Sequence, residues 1–229
     1  MKYVLFDIDS TLIEAHQPSN KEASKVVFKK IFGINAHEEL IDFRGMAEEG
    51  IIKKVVEKVA GIKLKKVPKE AYDLWAKTSQ IALLKRPPKV MPGIEKMLAA
   101  LSRRNAIYLA VLTGNSEKRA HVKLASTRLI KYFINKSGKL KGIFGTQADN
   151  REKLLIIAKR KYLKSRGDKI ILIDDSLMGA KMAKKHKVPA IMVATSDFSQ
   201  KELGAYVQYT FPDFGKSRWK QAIKIIDTI

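Results

Sequence analysis

Cysteine is absent from the chain, which excludes disulfides, thiolate metal sites and a cysteine nucleophile. No apolar run approaches the ~20 residues that a membrane-spanning helix needs. The N-terminal apolar stretch is a few residues long and leads directly into Asp7, so a cleaved signal peptide is not expected and the setting reads as cytoplasmic. Aromatic residues make up 8% of the sequence and seldom interleave with its lysine clusters, as a stacking platform for single-stranded nucleic acid would require. The four histidines, His16, His37, His121 and His186, include no pair at zinc-helix spacing and read as ordinary surface or partly buried side chains. Acidic residues are also scarce, 23 against 45 lysines and arginines, for a net charge of +22.

That charge is spread over the whole chain. Residues 15–88 hold 15 basic and 9 acidic side chains, and the remainder 30 and 14. Clusters such as Lys63-Leu64-Lys65-Lys66, Lys159-Arg160-Lys161 and Lys184-Lys185-His186-Lys187 read as a solvated basic surface. A specific nucleic-acid site is not expected, but the positive field attracts small anionic phosphoesters. With 229 residues, 45% of them hydrophobic, the chain can bury a sizeable core, as one large domain or a domain with an insertion. Nothing in the sequence fixes an oligomeric state.

The most informative stretch is Met1-Lys2-Tyr3-Val4-Leu5-Phe6-Asp7-Ile8-Asp9-Ser10-Thr11. An apolar run short enough for a buried strand ends in two carboxylates, which places them at the strand's carboxyl end, where open α/β sheets bind ligands. Two acids two positions apart reach one ion or phosphate only if the chain bends as it leaves the strand, and Ser10 and Thr11 suit such a bend. One carboxylate can then attack phosphorus while its neighbour gives and takes the leaving-group proton. Alone, the pair could equally end a strand and cap a turn.

The arrangement recurs. Ala106–Leu112 is an apolar run ending in Thr113-Gly114-Asn115-Ser116, followed by a helical stretch from Glu117 to about Ala125, and such a helix start offers free N–H groups to an anion. Ile170–Ile173 ends in Asp174-Asp175-Ser176. If the strands are parallel, these polar ends converge on one edge. Between them, Asp149 and Glu152 read as a capping pair opening a helix to about Tyr162, with Arg151 and Lys153 in its first turn. Cations there oppose the helix dipole, so one of them is a candidate to reach a phosphate and steady the carboxylates.

This order of aspartate pair, threonine, basic residue and second aspartate pair resembles the haloacid dehalogenase-like (HAD) hydrolase superfamily, in particular its phosphoglycolate phosphatase-like members. Val90-Met91-Pro92-Gly93-Ile94, Lys123-Leu124, Tyr132-Phe133, Phe144-Gly145 and Arg151-Glu152-Lys153-Leu154 recur in family order. The resemblance implies an α/β fold, a Rossmann-like parallel-sheet core with an inserted all-helical cap. Residues 15–88 show no clear β-run and read as helices at Lys21–Phe32, Met46–Val59 and Lys69–Leu83, so they are assigned to the cap. Residues 1–14 and 89–229 form the core, with Pro87-Pro88 as the return hinge.

The resemblance implies a Mg2+-dependent phosphomonoester hydrolase acting on a small phosphorylated metabolite through an aspartyl-phosphate. Asp7 takes the part of nucleophile, Asp9 of acid and then base, Thr113 of phosphoryl binder, and Arg151 or Lys153 of the basic group. Arg151 is favoured by its spacing ahead of Leu155. Ser10, Thr11, Gly114, Asn115 and Arg44 are candidates to bind phosphate or substrate. The metal falls to Asp7, the backbone carbonyl of Asp9 and the Asp174–Asp175 pair, Asp175 aligning with the family's ligand; hard oxygen donors suit Mg2+. Two features depart from the pattern. Asp174 stands where many relatives have glycine and Gly179 where they have a further acid, and Ala47-Glu48 replaces a common Thr-Asp pair, so the usual substrate does not carry over. The competing functions are a phosphotransferase or sugar-phosphate mutase, and a basic nucleic-acid-binding or end-processing protein on the same scaffold.

Overall fold

The structure, a computed structural model, describes residues 1–15 and 17–229, without the side chains of residues 17–19; His16 lies outside the described residues. A six-stranded, all-parallel sheet has the order β3-β2-β1-β4-β5-β6. Its strands are β1 (Lys2–Phe6), β2 (Ile107–Leu112), β3 (Gly142–Ile143), β4 (Lys169–Asp174), β5 (Ala190–Val193) and β6 (Tyr209–Phe211). The two central strands pair in register, Lys2 with Lys169 through Phe6 with Ile173. Side chains alternate across the sheet. Val4, Phe6, Ile171 and Ile173 enter a core with α4 (Ile94–Leu101), α5 (Glu117–Ser126) and α9 (Arg218–Thr228). Leu5, Ile170 and Leu172 enter the opposite core with α6 (Arg151–Tyr162) and α7 (Leu177–Lys185). Both faces are covered, which is why the strands read as continuous apolar runs without alternation.

Residues 17–85 supply three longer helices, α1 (Gln17–Phe32), α2 (Glu48–Ala60) and α3 (Lys69–Lys85). They share a third apolar cluster that includes Val27, Phe28, Ile52, Val55 and Trp75. Helix α1 begins four residues before the expected Lys21, and α2 begins at Glu48 rather than Met46 because Ala47 is extended. The chain leaves and re-enters the core through adjacent segments: Glu14 N–H donates to Lys89 (2.8 Å), Met91 N–H donates to Leu12 (3.0 Å), and Ile13 bridges Val90.

Helix α2 is seated on the sheet's carboxyl edge by its own terminus. The first N–H groups of a helix lack internal partners, and here they find carbonyls in loops of the sheet edge. Ala47 N–H donates to Asp149 (3.1 Å), Glu48 N–H to Gly114 (2.8 Å) and Glu49 N–H to Gly145 (3.2 Å). The approach is so close that a Cβ at Gly50 would collide with the Asp149 carbonyl.

Candidate active site

The bend after β1 is a tight loop. Ser10 adopts a left-handed backbone (φ 57°), its N–H donates to Ile13 (2.8 Å), and its carbonyl accepts from the Thr195 hydroxyl (2.5 Å). A non-glycine residue there costs roughly 1–3 kcal/mol, offset by these bonds. The loop separates the two acids. Asp7 continues the β1 alternation toward the α6 face, and its N–H still joins the ladder at Ile173 (2.9 Å).

Asp7, Asp174 and Asp175 are all buried and bring carboxylate oxygens within 4.8 Å of one another. Arg151, the first residue of α6, faces this cluster, with Nη1 3.2 Å from Asp7 and Nη2 bonded to Asp174. Burial pushes the Asp7 carboxyl up to about 7, opposed by Arg151 and reinforced by Asp174 and Asp9. Burial, with Asp174 and Asp7, raises Asp175 well above the carboxylate range, although the Thr11 hydroxyl donates to it at 2.7 Å. Three acids this close resist ionising together, and this set of hard oxygen donors fits a divalent cation such as Mg2+.

The two neighbouring aspartates differ. Asp174 is the last residue of β4 and is fully buried; Oδ1 accepts from the Ser176 N–H (2.8 Å) and hydroxyl (2.7 Å), while Oδ2 meets Arg151. A Cβ at residue 179 would lie 2.6 Å from both oxygens of Asp174, which explains why glycine stands at 179 when an aspartate stands at 174. Asp175 leaves the strand, and its Oδ1 accepts from the Thr11 hydroxyl.

Facing this cluster from β2, Thr113 is buried and its oxygen accepts from the Asn115 N–H (3.2 Å) and side-chain amide (2.8 Å), leaving the hydroxyl proton for an incoming acceptor. Asn115 also donates to Asp9 (2.8 Å). Lys123 Nζ lies 2.7 Å from each Asp9 oxygen and donates to Asn115 Oδ1 at 3.0 Å. Burial raises the Asp9 value, but Lys123, then Arg119 and Asn115, outweigh it and hold the carboxyl below its ordinary range.

The sequence-derived candidates thus fall in different places. Asp7, Asp9, Thr113, Gly114, Asn115 and Arg151 line one cavity of about 180 Å³. Lys153 does not reach it: two positions on from Arg151 around the helix, its side chain is 59% exposed and pairs with Asp149 at 3.6 Å. The α6 cap is Asn150, whose side chain accepts from the Lys153 N–H (2.9 Å), rather than an Asp149–Glu152 pair; Glu152 instead meets Lys185 and His186. Thr11 spends its hydroxyl on Asp175, and Ser10 shapes the loop. Arg44 lies at the cavity margin, paired with Asp42 (2.9 Å), its side chain 70% exposed.

Two functional candidates to which the sequence assigns no role are Lys123, seen only within the recurring Lys123-Leu124 motif, and Arg119, one turn apart on α5. Arg119 is buried; it donates to Glu48 (2.8 Å), Asn20 (2.7 Å) and Ser79 (3.1 Å) and lies 4.8 Å from the Trp75 ring centroid. It thereby ties α5 to α1, α2 and α3. Ala120 and Leu124 share the buried side of the helix, but in so basic a chain nothing in the sequence separates these two cations from those on the surface.

A parallel Rossmann-like sheet with carboxylates, a hydroxyl and an arginine gathered at its carboxyl edge defines an α/β enzyme with an acidic centre that could hold a cation. The chain belongs to the haloacid dehalogenase-like hydrolase family, whose model matches residues 1–187. No curated protein matches the sequence. Solved structures do. A variant of CbbY from Rhodobacter sphaeroides, in complex with xylulose-(1,5)bisphosphate, is 17% identical (TM-score 0.68; 93% of this chain, 95% of that one). A predicted phosphatase from Clostridium acetobutylicum is 21% identical (TM-score 0.61; 99% and 98%). A hydrolase from Pseudomonas syringae is 15% identical (TM-score 0.60; 100% and 99%). These likenesses extend the fold over the whole chain. No described helix is long and apolar enough to cross a membrane.

Proposed function

We propose that the chain is a Mg2+-dependent phosphomonoesterase that hydrolyses a small phosphorylated metabolite through an aspartyl-phosphate on Asp7. The observation that carries this reading is the cluster of Asp7, Asp174, Asp175 and Arg151, which meets, through Asp7 and Arg151, a cavity that Thr113, Asn115 and Asp9 also line. Asp7 and Asp175 would hold the divalent ion, together with the backbone carbonyl of Asp9 that the family resemblance implies. When bound, the ion neutralises charge on the carboxylates and on the phosphoryl oxygens.

The protein's own residues supply the rest. Asp7 attacks phosphorus, and the bond from phosphorus to the leaving oxygen breaks as Asp9 passes that oxygen a proton. Water then attacks the aspartyl-phosphate, Asp9 takes its proton, and phosphate leaves with Asp7 regenerated. Lys123 keeps Asp9 placed and favours the carboxylate form that accepts this proton. Arg151 holds Asp7 and Asp174 in position and offers positive charge to the phosphoryl group. Thr113 and the Gly114-Asn115 turn receive phosphoryl oxygens. Residues 15–88 act as the cap, closing over the cavity to exclude bulk water, and the core is 1–14 with 89–229. A cytoplasmic setting belongs to the same proposal.

Phosphate release from a panel of phosphomonoesters, with and without Mg2+, tests the reading. Transfer to an added alcohol or sugar in place of release would move the chain to the phosphotransferases. The basic surface is diffuse and stays a solvated face. Binding of nucleic acid should be weak, indifferent to sequence and steeply lost with salt.

A further inference from the structure

Beyond Asp9 the cavity continues between α5 and the helices of residues 17–85, and its wall there carries more acceptors than free cations. Each buried cation among the described lining residues is already matched. Arg151 meets Asp7 and Asp174, Lys123 meets Asp9, and Arg119 meets Glu48. Arg44, at the margin, is exposed and paired with Asp42. On the acceptor side, Glu48 is 1% exposed and lines the cavity; Oε1 takes Arg119, while Oε2 is buried with no hydrogen-bond partner among the described residues. Glu38, also buried and lining the cavity, is pushed above its ordinary range by burial, opposed by Arg119 and Lys123. A carboxyl moved toward its neutral form both gives and accepts a hydrogen bond, as a hydroxyl does. Asn20 spends its carbonyl oxygen on Arg119. Phe43, Met46 and Ile51 form an apolar wall in the same cavity.

We propose that this end of the cavity is the leaving-group subsite and that it takes a short, uncharged polyol, so that the preferred substrates are polyol monophosphates without a second phosphate or a carboxylate. This rests on the phosphatase reading above and narrows it. Among the described residues no donor reaches the buried Glu48 Oε2, and leaving such a group unpaired is costly. A substrate hydroxyl supplies that donor, while the C–H faces of a polyol suit the apolar wall. A second anionic group would enter beside Glu38 and Glu48 with no unmatched buried cation to receive it among the described residues, which is discrimination by repulsion. The cavity, about 180 Å³, is close to the ~150 Å³ that holds one benzene-sized molecule, so a short leaving group fits it. The Rhodobacter CbbY variant, by contrast, was solved with a bisphosphate.

The test is kcat/KM of the full-length protein with Mg2+ for glycerol phosphate, propyl phosphate, 3-phosphoglycerate and p-nitrophenyl phosphate, each with an Asp7→Asn control. Glycerol phosphate should exceed propyl phosphate by ~10²-fold or more, because a site built to bond a hydroxyl rejects the analogue lacking it. It should exceed 3-phosphoglycerate at least as strongly. Glu48→Gln, which keeps the shape and removes the charge, should raise the ratio of 3-phosphoglycerate to glycerol phosphate about tenfold. Equal use of propyl and glycerol phosphate, preference for the carboxylate ester, or a ratio unmoved by Glu48→Gln would overturn the subsite while leaving the phosphatase standing. No Asp7-dependent release from any of the four esters would overturn the phosphatase reading and the subsite with it.

Discussion

Lys123 Nζ sits 2.7 Å from both carboxyl oxygens of Asp9, joining the middle of α5 to the loop after β1. Lys123 is 3% exposed and Asp9 31%, the acid being open to the cavity. Removing one partner of a buried pair strands the other. Lys123→Met should therefore cost about 3 kcal/mol at pH 7, the low end for such pairs because Asp9 is partly solvated. The depressed Asp9 value contributes stability that is present above its unfolded value and lost as pH falls through the folded one. The difference between wild type and Lys123→Met should accordingly shrink in acid. Urea denaturation at pH 7 and at a pH below 3.8, the value from which Asp9 is lowered, measures it.

The crowded carboxylates give a second pH dependence, of opposite sign. Asp7 is raised from an ordinary 3.8 to about 7, so the folded state holds a proton that the unfolded state releases, and stability from this group falls as pH rises from about 4 to 7. Asp175 is raised in the same direction. A divalent cation relieves this repulsion only once the acids ionise. The rise in Tm on adding Mg2+ should be small at pH 5 and several degrees at pH 8. An equal rise at both values, or none at pH 8, would contradict the assignment of these acids to a metal.

Asp174 and Asp175 should separate in their effects. Both oxygens of Asp174 are engaged, by Ser176 and Arg151, whereas Asp175 shares one oxygen with Thr11. Asp175→Asn should raise the Mg2+ concentration needed for half-maximal activity more than Asp174→Asn does. Asp174→Asn should lower Tm more, because it leaves Arg151 buried beside a weaker partner. Magnesium titrations and thermal melts of the two variants check this; the reverse order would exchange the roles.

Arg151→Ala should lower kcat by ~10²-fold or more, as loss of a phosphate-stabilising group typically does. Lys153→Ala should change it by less than about twofold, since an exposed ion pair with Asp149 contributes little. Steady-state kinetics of the two variants under saturating Mg2+ decide the matter.

Much of the frame was legible because the sheet is buried on both faces. β1, β2 and β4 appear as apolar runs, and the polar residues that end them are the ones that converge. Strands of two and three residues, Gly142–Ile143 and Tyr209–Phe211, are too short to carry a pattern. The cap of α6 was misplaced by one residue because Asp149 and Asn150 are equally good capping residues in sequence. The roles of Lys123, legible only as part of a family motif, and of Arg119 were hidden for a different reason: what distinguishes them is burial against Asp9 and Glu48, residues 114 and 71 positions away, which no local pattern among 45 cations conveys. The Gly179–Asp174 exchange was readable as a departure from the family's pattern, but its cause, the room that the Asp174 carboxyl needs, is a property of packing.

The central claim is that Asp7 is the nucleophile, and it is tested most directly by comparing phosphate release from wild type and Asp7→Asn with Mg2+ present. Asparagine keeps the volume and removes the attacking oxygen. The expected result is a fall of roughly 10³-fold or more in kcat, with the fold retained by circular dichroism. Phosphate release by folded Asp7→Asn at a rate near that of wild type would contradict the account.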